Sequence, residues 1–199
     1  MLNESALRRL ISRWEFYLAK QGTSGDNQYG SASGQMEVLQ RYCSPPANVL
    51  FIGCGDGLEV HAARQLGYDA EGVTLGAPDV ERALKVYGIT LTLCDAHFLP
   101  DEWENRFDFV GGFQVLEHSI SGFLAFWEWG RVLKSHGRMY VEVPHANFVM
   151  NDNWHHIGSP TPDQMKGWMM KLGCENIETG YINDVPEAAH WAYATAIKG

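Results

Sequence analysis

Three things are scarce in this 199-residue sequence. Cysteine is the first: Cys43, Cys54, Cys94 and Cys174 are its four, and no two form a Cys-x-x-Cys pair. Such scatter argues against a disulfide framework and fits a reducing, cytoplasmic setting. Positive charge is the second. Fifteen Lys and Arg stand against 24 Asp and Glu, a net charge of -9. A general nucleic-acid binder needs a basic face to displace phosphate counterions, so no nucleic-acid partner is expected. Long apolar runs are the third. None spans a bilayer, and Met1 to Lys20 is charged and amphipathic, unlike a secretory signal, so no membrane partner is expected.

What is present suits one globular domain: 45% hydrophobic and 20% charged residues, with a generous 12% aromatic. Leu7, Leu10, Ile11, Trp14, Tyr17 and Leu18 recur at helical spacing. A second short helix is expected over 35–42, stopped by Pro45-Pro46. From Ala47 the texture alternates. Strands are expected at 48–52, 70–75, 89–94, 107–113, 138–143, 175–182 and 190–198. Helices are expected at 57–66, 78–87 and 121–134, with 98–106 irregular or one helical turn. Thr161, Pro162 and Gln164 read as an N-cap, a first helical residue and a capping-box partner, opening a helix that runs to Leu172. This order implies an α/β fold: a Rossmann-like, seven-stranded, mostly parallel sheet with an antiparallel last strand and helices on both faces. The short link 183–187 favours the antiparallel final pair.

The stretch VLFIGCGDGLEV, Val49 to Val60, carries the chemistry. An apolar strand empties into Gly53-Cys54-Gly55-Asp56-Gly57, and ligands of open α/β sheets bind beyond the carboxyl ends of their strands. A P-loop needs a Lys-Ser/Thr pair after its glycines, and none follows. A dinucleotide fingerprint needs a third glycine where Leu58 stands. A carboxylate at Asp56 also suits a cationic ligand better than a pyrophosphate. A purely structural βα turn is the bland alternative.

The same stretch resembles motif I of the class I S-adenosylmethionine-dependent methyltransferases. Further segments follow in that family's order: DAEGVTL (69–75), LCDAHFLP (93–100), FDFVGGFQVLEH (107–118), RVLKSHGRMYVEVP (131–144) and the closing 161–177 segment. The small-molecule, ubiquinone- and menaquinone-biosynthesis-like core is the branch it most resembles. The resemblance implies residues 47–199 as cofactor-binding core and 1–46 as an N-terminal helical lid. It implies S-adenosylmethionine as cofactor, S-adenosylhomocysteine as product and a small-molecule methyl acceptor.

By the same resemblance, Gly53, Cys54, Gly55, Asp56 and Gly57 cradle the cofactor's amino-acid part and ribose. Cys54 is a small filler rather than a nucleophile, and Asp56 faces the ammonium. The family usually ends its second strand with Asp or Glu for the ribose hydroxyls, and this sequence has Thr74, followed by Leu75 to pack on adenine. Glu71 falls on the other sheet face and is a poor substitute. Asp95 is implied as acceptor of the adenine amino group, with Ala96 donating its N–H; the alternative for Asp95 is a strand-end turn former. His97 is expected at the rim, Gln114 at the methyl end, and Tyr29 against the cofactor.

Three histidines are candidate catalytic groups: His118, His145 and His156. The Glu117-His118 pair braces the following helix or supplies a base, an imidazole titrating near neutral pH. For the loop that holds His145, His155 and His156, loop-tying and acceptor contact rank first, a general base second and a metal site third, so no metal is assigned. A non-catalytic module binding S-adenosylmethionine or S-adenosylhomocysteine is the alternative function, and nicotinamide-linked oxidoreduction a second rival. Oligomeric state is left open.

Overall fold

The computed structural model describes residues 31–145, 156–182 and 191–199, together with Ser5, Arg8, Arg9 and Ile11. The periodic segment through Trp14 to Leu18, Tyr29, the 146–155 loop and the 183–190 link lie outside the described residues.

Val49, Leu50, Phe51 and Ile52 are all buried, which only a strand flanked on both edges and covered on both faces permits. This strand, β1 (Asn48–Ile52), lies at the centre of the sheet. β2 (Asp69–Thr74), β3 (Thr92–Leu93), β4 (Phe107–Phe113), β5 (Leu133–Pro144), β6 (Cys174–Tyr181) and β7 (Trp191–Lys198) complete it. The order is β3-β2-β1-β4-β5-β7-β6, with β7 alone antiparallel to its neighbours. The chain reverses direction in its strand order between β3 and β4, and this switch point lies at β1.

Alternating side chains serve two cores. Val49, Phe51, Ala70, Phe109 and Tyr140 pack with α1 (Ser33–Tyr42), α2 (Leu58–Gln65) and α3 (Ala77–Tyr87). Leu50, Ile52, Val110, Met139 and Val141 pack with α4 (Gly122–Val132) and α5 (Pro162–Lys171). Each buried Val, Leu, Ile, Phe or Met among them contributes roughly 1.5–3 kcal/mol by leaving water. α5 opens on the expected capping box: Thr161 Oγ1 accepts from Gln164 N, and Thr161 N donates to Gln164 Oε1 at 2.8 Å.

Three elements differ clearly from expectation, one of them the strand expected at 138–143, which already opens at Leu133. The strand expected at 89–94 is cut to Thr92–Leu93, because Ile89 and Leu91 turn their buried side chains over Gly57 instead of pairing. The helix expected to reach residue 134 ends at Val132. Leu133, fully buried, already pairs with Phe107, and the register then slips to Phe109 opposite Arg138. Lys134 donates instead to Asp108 at 2.8 Å.

Candidate functional site

The carboxyl ends of β1, β2, β3 and β4 deliver their turns to one end of the sheet, and the site is built there. Gly53, Gly55 and Gly57 have φ of 65°, 50° and 81°, in the left-handed region that favours glycine. A Cβ on Gly53 would lie 2.6 Å from Val115 Cγ2, so that position is closed by packing as well as by conformation. A Cβ on Gly55 would meet nothing within 4 Å, so the turn presents bare backbone to open space there. Cys54 is buried with Sγ against Gly72, and desolvation pushes its thiol well above the ordinary value. That is a packing group, not a nucleophile. Asp56, 8% exposed, accepts from Arg82 Nε of α3 at 3.0 Å. The Glu59 carboxyl in the first turn of α2 is pushed up to about 7, by desolvation and the Asp56 charge against a backbone hydrogen bond that lowers it.

Thr74, at the end of β2, is buried. Its hydroxyl donates to Asp79 Oδ2 at 3.2 Å and accepts from Gly76 N at 3.3 Å. Asp79 is 3% exposed, in the first turn of α3, and nothing in the spacing of the sequence marked it. Leu75 is half-buried beside it. Glu71 pairs with Arg106.

At the end of β3, one Asp95 carboxylate oxygen closes a local turn, accepting from His97 N at 2.9 Å and lying 2.8 Å from His97 Nδ1. Oδ2 is buried without a partner. His97 is not a rim residue: it is 2% exposed, and its Nε2 accepts from Ser121 N at 3.4 Å, which assigns the proton to Nδ1. The carbonyl of Ala96 accepts from Trp129 Nε1 at 3.1 Å. Trp129 is fully buried against Gly112, so it packs the core and also anchors this loop, a duty the sequence did not reveal.

Gln114 directly follows β4, with a φ of 58°. Its side-chain amide donates to Glu142 Oε1 at 3.0 Å, and its own Oε1 is buried without a partner. Tyr140 donates to Glu142 Oε2 at 3.3 Å and packs against Phe113 and Tyr193. Burial raises the Glu142 carboxyl above its ordinary range despite these bonds. Next comes a single 3-10 turn, Leu116–His118. Glu117 is 1% exposed; desolvation, reinforced by the Glu142 charge, pushes it up to about 8 against a lowering backbone hydrogen bond. His118 Nε2 lies 3.7 Å from Glu117 Oε1, and the His118 and His156 rings meet edge to face at 4.8 Å. His145, buried at the end of β5, sets its ring against Tyr181 at 4.7 Å.

Glycine backbone, a half-used carboxylate and buried acceptors thus line one end of the sheet, an arrangement fit for a ligand that carries N–H and O–H donors. The family described as a methyltransferase domain matches residues 29–179. No functionally curated protein is similar in sequence. Among solved structures, Haemonchus contortus phosphoethanolamine N-methyltransferase 2 in complex with S-adenosyl-L-methionine superposes with a TM-score of 0.70 at 17% identity, over 85% of this chain and 53% of that one. The present chain therefore spans about half the length of that enzyme. An Archaeoglobus fulgidus SAM-dependent methyltransferase gives 0.68 at 15% identity, over 84% and 95%. A chain from a Haloferax volcanii complex that contains the Trm112 methyltransferase activator gives 0.71 at 14%, over 100% and 99%. At these identities the solved structures establish the fold.

Proposed function

The chain belongs to the methyltransferase-domain family, and from that premise we propose that it transfers a methyl group from S-adenosylmethionine to a small-molecule acceptor. The observation that carries this reading is Asp95. One of its oxygens is spent on the turn and the other is buried and unpartnered, an expensive arrangement unless a ligand donor completes it. The exocyclic amine of adenine is such a donor, with Ala96 N and Leu75 beside it.

When bound, the cofactor supplies an already activated methyl group on a sulfonium, so alignment with the acceptor carries most of the rate. The open face at Gly55 admits the amino-acid and ribose portion, with Asp56 toward the ammonium. Thr74 and Asp79 together take the role of the strand-end carboxylate. Asp79 accepts from the ribose diol while the Thr74 hydroxyl holds it in place. Gln114 and the Glu142–Tyr140 pair wall the methyl end, where an acceptor that must lose a proton meets His118 and His156. His145, just past the end of β5 with its ring on Tyr181, is a third candidate for contact with the acceptor. Of the 1–46 segment expected as a lid, α1 instead packs into the core through Met36 and Leu39, so the lid role is proposed only for the residues before it, Tyr29 among them, over a core of residues 47–199. The scattered cysteines support a cytoplasmic setting; among the described residues no helix is long and apolar enough to cross a membrane.

Calorimetric titration with S-adenosylmethionine and S-adenosylhomocysteine tests the reading. Binding by the native chain that Asp95→Ala abolishes supports it, and no binding by the native chain sinks it. A second reading, a module that binds the cofactor without turnover, is favoured by the diversion of the Thr74 hydroxyl to Asp79. Binding without methylated product across amine, hydroxyl and carbon acceptors would favour that reading.

A further inference from the structure

We propose that Glu117, His118 and His156 form a binding site for a divalent transition cation of the zinc type. Their ligand atoms lie within 4.8 Å of one another. Glu117 and His118 come from the 3-10 turn after β4, and His156 from the loop before α5.

Three observations carry it. The first is the buried, unpartnered Oε2 of Glu117. A buried carboxylate oxygen without a donor is costly, and no lysine or arginine among the described residues pairs with this one. The second is that the arm carrying His156 is fixed. Ile157 N donates to the Glu117 carbonyl at 2.6 Å and Gly158 N at 3.4 Å, so the loop is bonded to the same residue that supplies the carboxylate. The third is the donor set. Two imidazoles and one carboxylate suit zinc, cobalt or nickel, whereas magnesium and calcium prefer oxygen alone. Ligand atoms about 2.0–2.2 Å from a tetrahedral zinc are roughly 3.3–3.6 Å apart. The His118 Nε2 to Glu117 Oε1 separation of 3.7 Å is close to that already, and modest side-chain rotation brings in His156.

Three protein ligands leave a fourth position open, the pattern of sites that receive a substrate oxygen. That the open position takes the acceptor rests on the methyltransferase reading; the binding of the cation does not. With a cation bound, both imidazoles are ligands and neither serves as a base.

The full chain, stripped with a chelator, is titrated calorimetrically with Zn2+ and spectroscopically with Co2+, in parallel with an S-adenosylhomocysteine titration. The expected result is one equivalent bound, with cobalt d–d bands and no thiolate charge-transfer band. His118→Ala and His156→Ala should each weaken binding by more than about tenfold. Glu117→Gln, which keeps the buried shape, should weaken it likewise. His156→Ala should keep the native far-UV circular dichroism spectrum and a cooperative melt, which separates loss of the cation site from misfolding. No stoichiometric binding by the native chain, native-like binding by both histidine variants, or a thiolate band from the four free cysteines would each overturn the proposal.

Discussion

Thr74 and Asp79 are joined by a 3.2 Å hydrogen bond across the turn from β2 to α3, and both are buried. A hydroxyl at the strand end and a carboxylate one turn into the helix together put a negative charge where the strand alone has none. Asp79→Asn is expected to weaken S-adenosylhomocysteine binding by about 1–2 kcal/mol, as loss of a charge-assisted bond does. Thr74→Val should cost less, since the carboxylate stays. Titration calorimetry of both variants checks this; native affinity in Asp79→Asn would show that the ribose is held elsewhere.

Asp95 has two duties, and two substitutions separate them. Asp95→Asn keeps an oxygen for the His97 turn and is expected to lower S-adenosylhomocysteine affinity by roughly 1.5–3 kcal/mol with little loss of fold stability. Asp95→Ala also strips the turn and should lower the thermal midpoint. Parallel binding and melting curves report the two effects; equal losses of stability in both variants would contradict the division.

Gly53→Ala meets two obstacles, a φ of 65° and the 2.6 Å approach to Val115. A destabilisation of about 1–3 kcal/mol is expected. Adding Val115→Ala should recover only the steric share, because the backbone strain remains. Urea denaturation of the two single variants and the double variant measures the coupling.

The Glu59 carboxyl has a folded pKa of about 7, above its ordinary value. The folded chain therefore holds a proton that the unfolded chain releases between about pH 4.5 and 7, and stability falls as pH rises through that window. Glu59→Gln removes the penalty. It should raise the unfolding free energy by about 1–2 kcal/mol at pH 8 and leave it nearly unchanged at pH 4. Thermal melts at both pH values decide it, and an equal gain at both would point to packing instead of charge.

Local signals in the sequence carried far. The apolar run before Gly53, the Thr161–Gln164 box and the Pro162 start each specify their element through neighbouring residues, and the structure has all three. What escaped is what long-range packing decides. Leu133 leaves the helix because it is a core residue opposite Phe107, a partner invisible in a helical pattern. Asp79 looks like any first-turn acid until the turn brings it to Thr74. Trp129 is an ordinary core aromatic by periodicity, and only the fold aims its N–H at Ala96. Likewise the meeting of His118 with His156 requires the loop before α5 to be bonded to the Glu117 carbonyl.

The strand order has a consequence for biogenesis. β7 is slotted between β5 and β6, although it follows both in the chain. On a ribosome, β1 to β5 can assemble as they emerge, each new strand finding a parallel neighbour already made. β6 then waits as an orphan, with α5 packed beside it and no sheet edge within reach. Only when Trp191–Lys198 clears the exit tunnel can the last gap close, setting Thr195 opposite Tyr140 on one side and opposite Glu178 on the other. Until then the edge of β5 is exposed, and nascent chains are most vulnerable to mispairing and to chaperone capture at that stage.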